Sequence, residues 1–412
     1  MPRISRILIP FLVVCLVCLS VAFVAFAPRS HTNAQSSATR SAAHPAITTN
    51  CPAPGTANAA SMPPLTLGSH PNIVYIVNES TPFQGTLKRY DIVTGAKVEI
   101  VKLANTSISE AQVSANGQWL MFVAQVSGQS KLQLVRMDGR FLQTLYCGNP
   151  SHVQWSTNQQ LAVFADAQGV YLLNVAGGVV QLELKARINP FAFPRTWLDT
   201  TRVYVALEFV DSPAESVAIL DTGKGPNQSV QNLQVAFDAS TSTPFCWDFD
   251  SSFDATKLFV SQCTATSSGG PGANIFSGPG VITVRPAAGF SYSYLYVSQG
   301  QAFTAIRAVT SNTLLFTVGN TKGNTSQNGL WRVGTDSSNP LHLAPSGQFN
   351  QFTQFPWSNV SRDSTKYVLQ IISSSPPNTT YTLEYGSLSG GSPVVFASIT
   401  NVQLATVGWT TM

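Results

Sequence analysis

From position 72 onward, apolar residues come in short runs, each bounded by polar turn residues. The runs read IVYIV, LMFVA, LAVFA, VYVAL, KLFVS, LLFTV and YVLQII, and they are rich in Val, Leu, Phe and Tyr. Five to seven successive apolar positions predict strands buried on both faces, as when one sheet is held between two others. No helical period of useful length follows residue 27. Six of the runs are preceded by the same phrase, a Ser- or Thr-rich turn carrying Asp or Asn. It begins at Ser114, Ser156, Leu198, Ser252, Thr310 and Ser361. Its Asp or Asn positions are Asn116, Asn158, Asp199, Asp254, Asn312 and Asp363, at intervals of 41 to 58 residues. A second turn with Asp or Asn and then Gly follows in most repeats, as in YDIVTG, RMDG, LNVAGG and LDTG. Each repeat therefore holds about four short strands, the content of one propeller blade.

The two ends of this region look like parts of one blade. NVQLATVGWTTM resembles the strand that precedes the repeated turn elsewhere, such as SHVQWSTN, whereas Asn72 opens directly on the strand that should follow such a turn. Pairing them would close the ring and remove its edges. The expectation is an all-β, seven-bladed β-propeller over residues 72–412, closed by the C-terminal strand, with six or eight blades as alternatives. At about 49 residues per blade it matches known repeat lengths of roughly 40 to 50.

The phrases SANGQWLMFV and SFDATKLFV resemble the S-P-D-G-K-x-I-A-F repeat of TolB-like propellers, whose second turn reads D-x-x-G-G. The resemblance covers roughly residues 72–412. It implies an exported interaction module, since TolB proteins are periplasmic and bind partner proteins of the cell envelope.

Upstream of the repeats the chain changes character. Arg3 and Arg6 precede Ile7–Ala27, 21 residues without a charge. That length spans a bilayer, and the flanking arginines would stay in the cytoplasm. Residues 1–27 are thus expected to be a membrane anchor, or a signal peptide cut after Ala25-Phe26-Ala27. Residues 28–71, rich in Ser, Ala, Thr and Pro and without an acidic residue, read as a flexible linker. His31, His44 and His70 sit in or beside it and read as solvated. The +4 formal charge comes entirely from Arg3, Arg6, Arg29 and Arg40, so the repeat region is neutral. A neutral domain offers no electrostatic footing for nucleic acid.

Four cysteines lie beyond the apolar segment: Cys51, Cys147, Cys246 and Cys263. In an oxidising compartment they allow two disulfides in three pairings. Cys246 and Cys263 flank a turn at Asp254-Ala255 symmetrically, which favours that pair and leaves Cys51 with Cys147; four free thiols are the alternative. Trp155, Trp197, Trp247, Trp357 and Trp409 fall near the ends of first strands, a recurrence that favours packing between blades. Asp248 and Asp250 alternate on one face of a first strand and are candidates to face the central channel, yet two carboxylates are few for a hard cation. The acids of EFVDSPAES read as solvated surface. The glycine-rich loop Ser267–Gly280 lacks the ending of a phosphate loop and reads as a binding loop or mobile cover. GSLSG at Gly386 puts Leu388 where a nucleophile would stand, and no C-x-x-C or H-x-x-x-H spacing occurs. No cofactor, metal or catalytic residue is therefore assigned. The expected function is a non-catalytic module that binds an envelope protein, peptide or glycan outside the membrane. The alternative is an extracellular hydrolase or lyase acting on polysaccharide, with carboxylates at the channel mouth.

Overall fold

A computed structural model describes residues 47–412, except 187–189, 209–214, 239–243, 253, 267–274, 277–279, 287–292, 299–301, 320–324, 348 and 350–357. The membrane segment therefore lies outside the described residues, as do His31 and His44. Among the described residues no helix is long and apolar enough to cross a membrane.

The described strands form seven sheets. Blade 1 comprises Pro71–Ser80, Phe83–Asp91 and Lys97–Ala104, with Gln403–Thr411 as its innermost strand. Blade 2 runs through Ser107–Val113, Trp119–Val126, Gln129–Arg136 and Gln143–Gly148. Blade 3 is Ser151–Trp155, Leu161–Asp166, Gly169–Asn174 and Val179–Lys185, with Gln228–Ser229 added in parallel. Blade 4 is Phe191–Trp197, Arg202–Glu208, Glu215–Asp221 and Gln234–Asp238. Blade 5 is Pro244–Ser251, Lys257–Thr266, Gly280–Pro286 and Ser293–Ser298. Blade 6 is Ala302–Thr310, Thr313–Gly319, Gly329–Gly334 and Leu341–Ala344. Blade 7 contributes Lys366–Ser375, Asn378–Ser387 and Val394–Thr400, with Val360 bridged to Tyr367 on the inner side.

Ring closure is explicit in the register. Ile73 faces Trp409, Val74 faces Gly408 and Val77 faces Leu404, so the last strand completes the sheet that opens at Pro71. Packing closes the same ring. Seven apolar clusters of buried residues lie one between each neighbouring pair of blades, and the last joins Val368, Leu383 and Phe396 of blade 7 to Ile73, Tyr75 and Trp409 of blade 1. Continuous apolar runs follow directly. In Trp119–Val126, Trp119, Met121 and Val123 pack toward blade 3, while Leu120, Phe122 and Ala124 pack toward blade 1. Trp155, Trp197 and Trp409 are all buried in these inter-blade clusters. The side chains of Trp247 and Trp357 lie outside the described residues.

The repeated phrase is a side-chain clamp on the turn between the first and second strands. In blade 2 the Ser114 hydroxyl donates to Asn116 Oδ1 and accepts from the Trp119 amide, at 2.7 and 2.9 Å. Ser156, Ser252 and Ser361 repeat both bonds with Asn158, Asp254 and Asp363. Ser and Asp or Asn recur here because their short side chains satisfy turn amides that the sheet leaves over. Ser361→Ala is expected to lower stability by about 1–2 kcal/mol with activity-independent readout, seen as a lower denaturant midpoint at unchanged slope. An unchanged midpoint would mean that the clamp is idle.

Residues 47–70 belong to the stretch expected as flexible linker, but they are packed. Thr48 and Asn58 bond backbone to backbone with Thr144 and Leu145 on the outer edge of blade 2. Ala60 is buried between blades 2 and 3, its amide donating to the Val175 carbonyl, and the Leu65 amide donates to Gln118 Oε1. This strap covers an edge that would otherwise be open. His70 then pairs with Asp91 at 2.9 Å. Cys51 and Cys147 are joined by a disulfide, S–S 2.05 Å, which ties the strap to the end of blade 2. Cys246 and Cys263 stand directly opposite in the register, and their side chains lie outside the described residues.

Candidate functional site

The clamped turns define one face of the ring. The opposite face, here the loop face, carries the links from second to third strands and from each outermost strand to the next blade. The strand ends at Glu208 and Glu215, which flank residues 209–214 of EFVDSPAES, and at Thr266 and Gly280, which flank the glycine-rich loop, lie there. Of the latter, Ile275–Phe276 pairs with Ala265–Thr266, and residues 267–274 and 277–279 lie outside the described set.

Around the axis, acidic and amide side chains join neighbouring innermost strands. Glu110 accepts from the amides of His152 and Val153 at 2.9 and 3.0 Å, and Gln112 accepts from the Trp155 amide. Asp248 accepts from the Ile306 amide and pairs with Arg307 at 2.7 Å; Asp250 accepts from the Ala308 amide at 2.8 Å. Both pairs sit four and two residues before the clamp serines, Ser114 and Ser252. Asp248 and Asp250, expected as channel-facing candidates, are 7% and 4% exposed. They point across the blade 5–6 junction because the edge amides of the next innermost strand lack sheet partners and need acceptors. Among the described residues no group of three metal-ligating side chains occurs.

Burial raises the Asp250 carboxyl to about 7, opposed by the positive charge of Arg307 and the Ala308 amide. Burial likewise pushes Glu110 up, against its two amide bonds. His152, half-buried and near Arg195, is lowered to about 4 by its partial burial and then by that charge, and is neutral at physiological pH. A raised folded-state carboxyl favours the fold fully below the unfolded value near 4 and loses that contribution as pH rises through about 7. His152 has the opposite sense and costs stability as pH falls from 6.5 toward 4. The difference between Asp250→Asn and the natural chain isolates the first effect. The variant should gain on the order of 2–4 kcal/mol relative to the natural chain between pH 5 and pH 8. A pH-independent difference in unfolding free energy would refute the assignment.

Among the described residues an open cleft with about 240 Å³ of space lies on the loop face between blades 3 and 4. Three segments build it: the link at Asn149–Ser151, the turn from Ala165 to Gly169, and the approach to blade 4 at Ala186 and Phe191–Phe193. Gly169 holds the turn in a conformation reserved for glycine, at φ +137°, where a Cβ would lie 2.0 Å from the Leu184 carbonyl oxygen. Asp166 is fixed by three donors: the Tyr146 hydroxyl at 2.8 Å, the Asn149 amide at 3.2 Å and the Ala167 amide at 2.6 Å. Burial and then the Asp166 carboxylate push the Tyr146 hydroxyl up, so it stays a donor. Phe191 and Phe193, two apart on one strand, present rings 6.3 Å apart and 23° from parallel. The His152 ring backs Phe193 at 4.5 Å.

Strand order and ring closure make this protein a seven-bladed β-propeller. No family model matches the sequence, and no curated protein matches it. Solved structures resemble it in part. TolB from Acinetobacter baumannii is 12% identical with a TM-score of 0.41, over 65% of this chain and 61% of TolB. An uncharacterized protein from Listeria monocytogenes EGD-e is 11% identical with a TM-score of 0.49, over 85% and 97% of the two chains. A protein from Lactobacillus plantarum is 13% identical with a TM-score of 0.48, over 84% and 100%.

Proposed function

We propose that the propeller is a non-catalytic binding module that presents its loop face outside the membrane, anchored by residues 1–27. The observation that carries this reading is a division of labour among the polar groups. The described acids near the axis are spent on bonds between blades, whereas the cleft at Asn149, Asp166 and Phe191–Phe193 is left open. Aromatic walls with a few fixed polar groups are the chemistry of recognition. The Cys51–Cys147 bond supports export, since structural disulfides persist in oxidising compartments. Binding partners are an envelope protein, a peptide or a glycan. A hydrolase or lyase would need two carboxylates converging in an open pocket, and among the described residues the cleft is lined by one, Asp166.

Capture by the full chain in detergent tests this, using envelope extract and a glycan array. Specific retention that falls at least tenfold in Phe193→Ala is expected. Turnover of an arrayed polysaccharide, with retention of nothing, would overturn the reading.

A further inference from the structure

We infer that the cleft between blades 3 and 4 is a saccharide subsite that takes one pyranose ring, stacked on Phe191 and Phe193 and hydrogen-bonded to Asp166. This deepens the reading of the loop face as a binding surface and rests on it.

Size comes first. About 240 Å³ falls below the roughly 300–1,000 Å³ typical of drug-sized pockets and has room for one ring-sized unit. Shape follows from residue type. Ala165, Ala167, Ala186 and Ala192 carry nothing beyond Cβ, so the lining between the polar and aromatic sides is smooth. The two phenylalanine rings lie near-parallel, 6.3 Å apart, and Phe191 keeps 42% of its surface exposed. An exposed Phe on a first strand, next to a second one, leaves apolar area that a ligand can cover. The C–H face of a pyranose is flat and weakly apolar and suits such a wall, while its rim of hydroxyls needs acceptors and donors.

Those are present on the other side. Asp166 has its carboxylate held by three donors, yet two oxygens with about four acceptor sites leave room for a ligand hydroxyl. Asn149 and Ser151 line the same space. A fixed carboxylate opposite an aromatic wall also suits a cationic side chain, so charge decides. The three donors already compensate Asp166. A cation would find that carboxylate already engaged, whereas a neutral hydroxyl needs only its spare acceptor site.

The test is saturation-transfer NMR on the full chain in detergent. Probes are the methyl pyranosides of glucose, galactose, mannose and N-acetylglucosamine, with N-acetyl-lysine methylamide as the cationic probe. At least one pyranoside should bind with Kd near 1 mM, ordinary for a single weak site. Phe191→Ala should weaken it about tenfold, with an unchanged thermal transition because the side chain is exposed, and Asp166→Asn should weaken it comparably. Signals from no pyranoside, or signals that survive both variants, would overturn the inference. Binding of the lysine probe alone would overturn the saccharide and leave the loop-face reading standing with a cationic peptide. Loss of envelope capture that ignores Phe193→Ala would instead remove the broader reading.

Discussion

A chain that ends at Val402 is expected to show no cooperative unfolding transition. Gln403–Thr411 is the innermost strand of blade 1, paired with Pro71–Asn78 along its length. Leu404, Val407 and Trp409 are each at most 2% exposed. Burial of such side chains is worth roughly 1.5–3 kcal/mol apiece, so three of them contribute on the order of 6 kcal/mol. Whole domains are stable by only about 5–15 kcal/mol. The loss goes further than these side chains. Without the strand, Ile73 and Tyr75 lose their cover at the blade 7–1 junction, and Pro71–Ser80 becomes an open apolar edge prone to association. Calorimetry and limited proteolysis of the truncated chain check this. A sharp transition within a few degrees of the full chain would mean that six blades and a fragment are self-sufficient.

The second large effect belongs to Arg307. Arg307→Met is expected to destabilise the protein by about 3–5 kcal/mol, the cost of removing one partner from a buried ion pair. Arg307 is 2% exposed. Its guanidinium bonds Asp248 Oδ2 at 2.7 Å and Asn359 Oδ1 at 3.3 Å, and lies 5.4 Å from the centre of the Phe349 ring. One side chain thus joins blades 5, 6 and 7. Methionine keeps much of the apolar volume, so the loss reports the charge rather than a cavity. Asp248 would keep the Ile306 amide as a donor but lose its cation, and Asp250 would lose the positive charge that opposes its upward shift. The deficit should therefore widen from pH 5 to pH 8. Urea unfolding at both pH values measures it, and a loss below about 1 kcal/mol at either would show that the pair is not the link between these blades.

What could be read in the chain was whatever depends on residues close in sequence. The clamp of Ser114 on Asn116 and Trp119 spans six positions, and it recurs as a phrase because each blade needs the same turn. Closure was visible because the last strand and Asn72 are complementary pieces of that unit. The strap at 47–70 escaped notice for a physical reason: it is held by backbone bonds to Thr144, Leu145 and Val175, which impose no apolar period. Asp248 and Asp250 were legible as an alternating pair but not as links across a junction. Aligning blades on the clamp serine would have found the signal, since Glu110 and Gln112 occupy the same two places in blade 2. The cleft left no trace at all. Asn149, Asp166 and Phe191 are ordinary residues on three separate connections, and only the ring brings them together.

A cross-link at the seam tests the closed ring most directly. Asn78 and Gln403 face each other in the register, with Nδ2 and Oε1 3.3 Å apart. The double variant Asn78→Cys with Gln403→Cys should form an intramolecular disulfide under mild oxidation of the native chain, and none in denaturant. Two free thiols that alkylate independently in the folded protein would contradict a ring closed by its C-terminal strand.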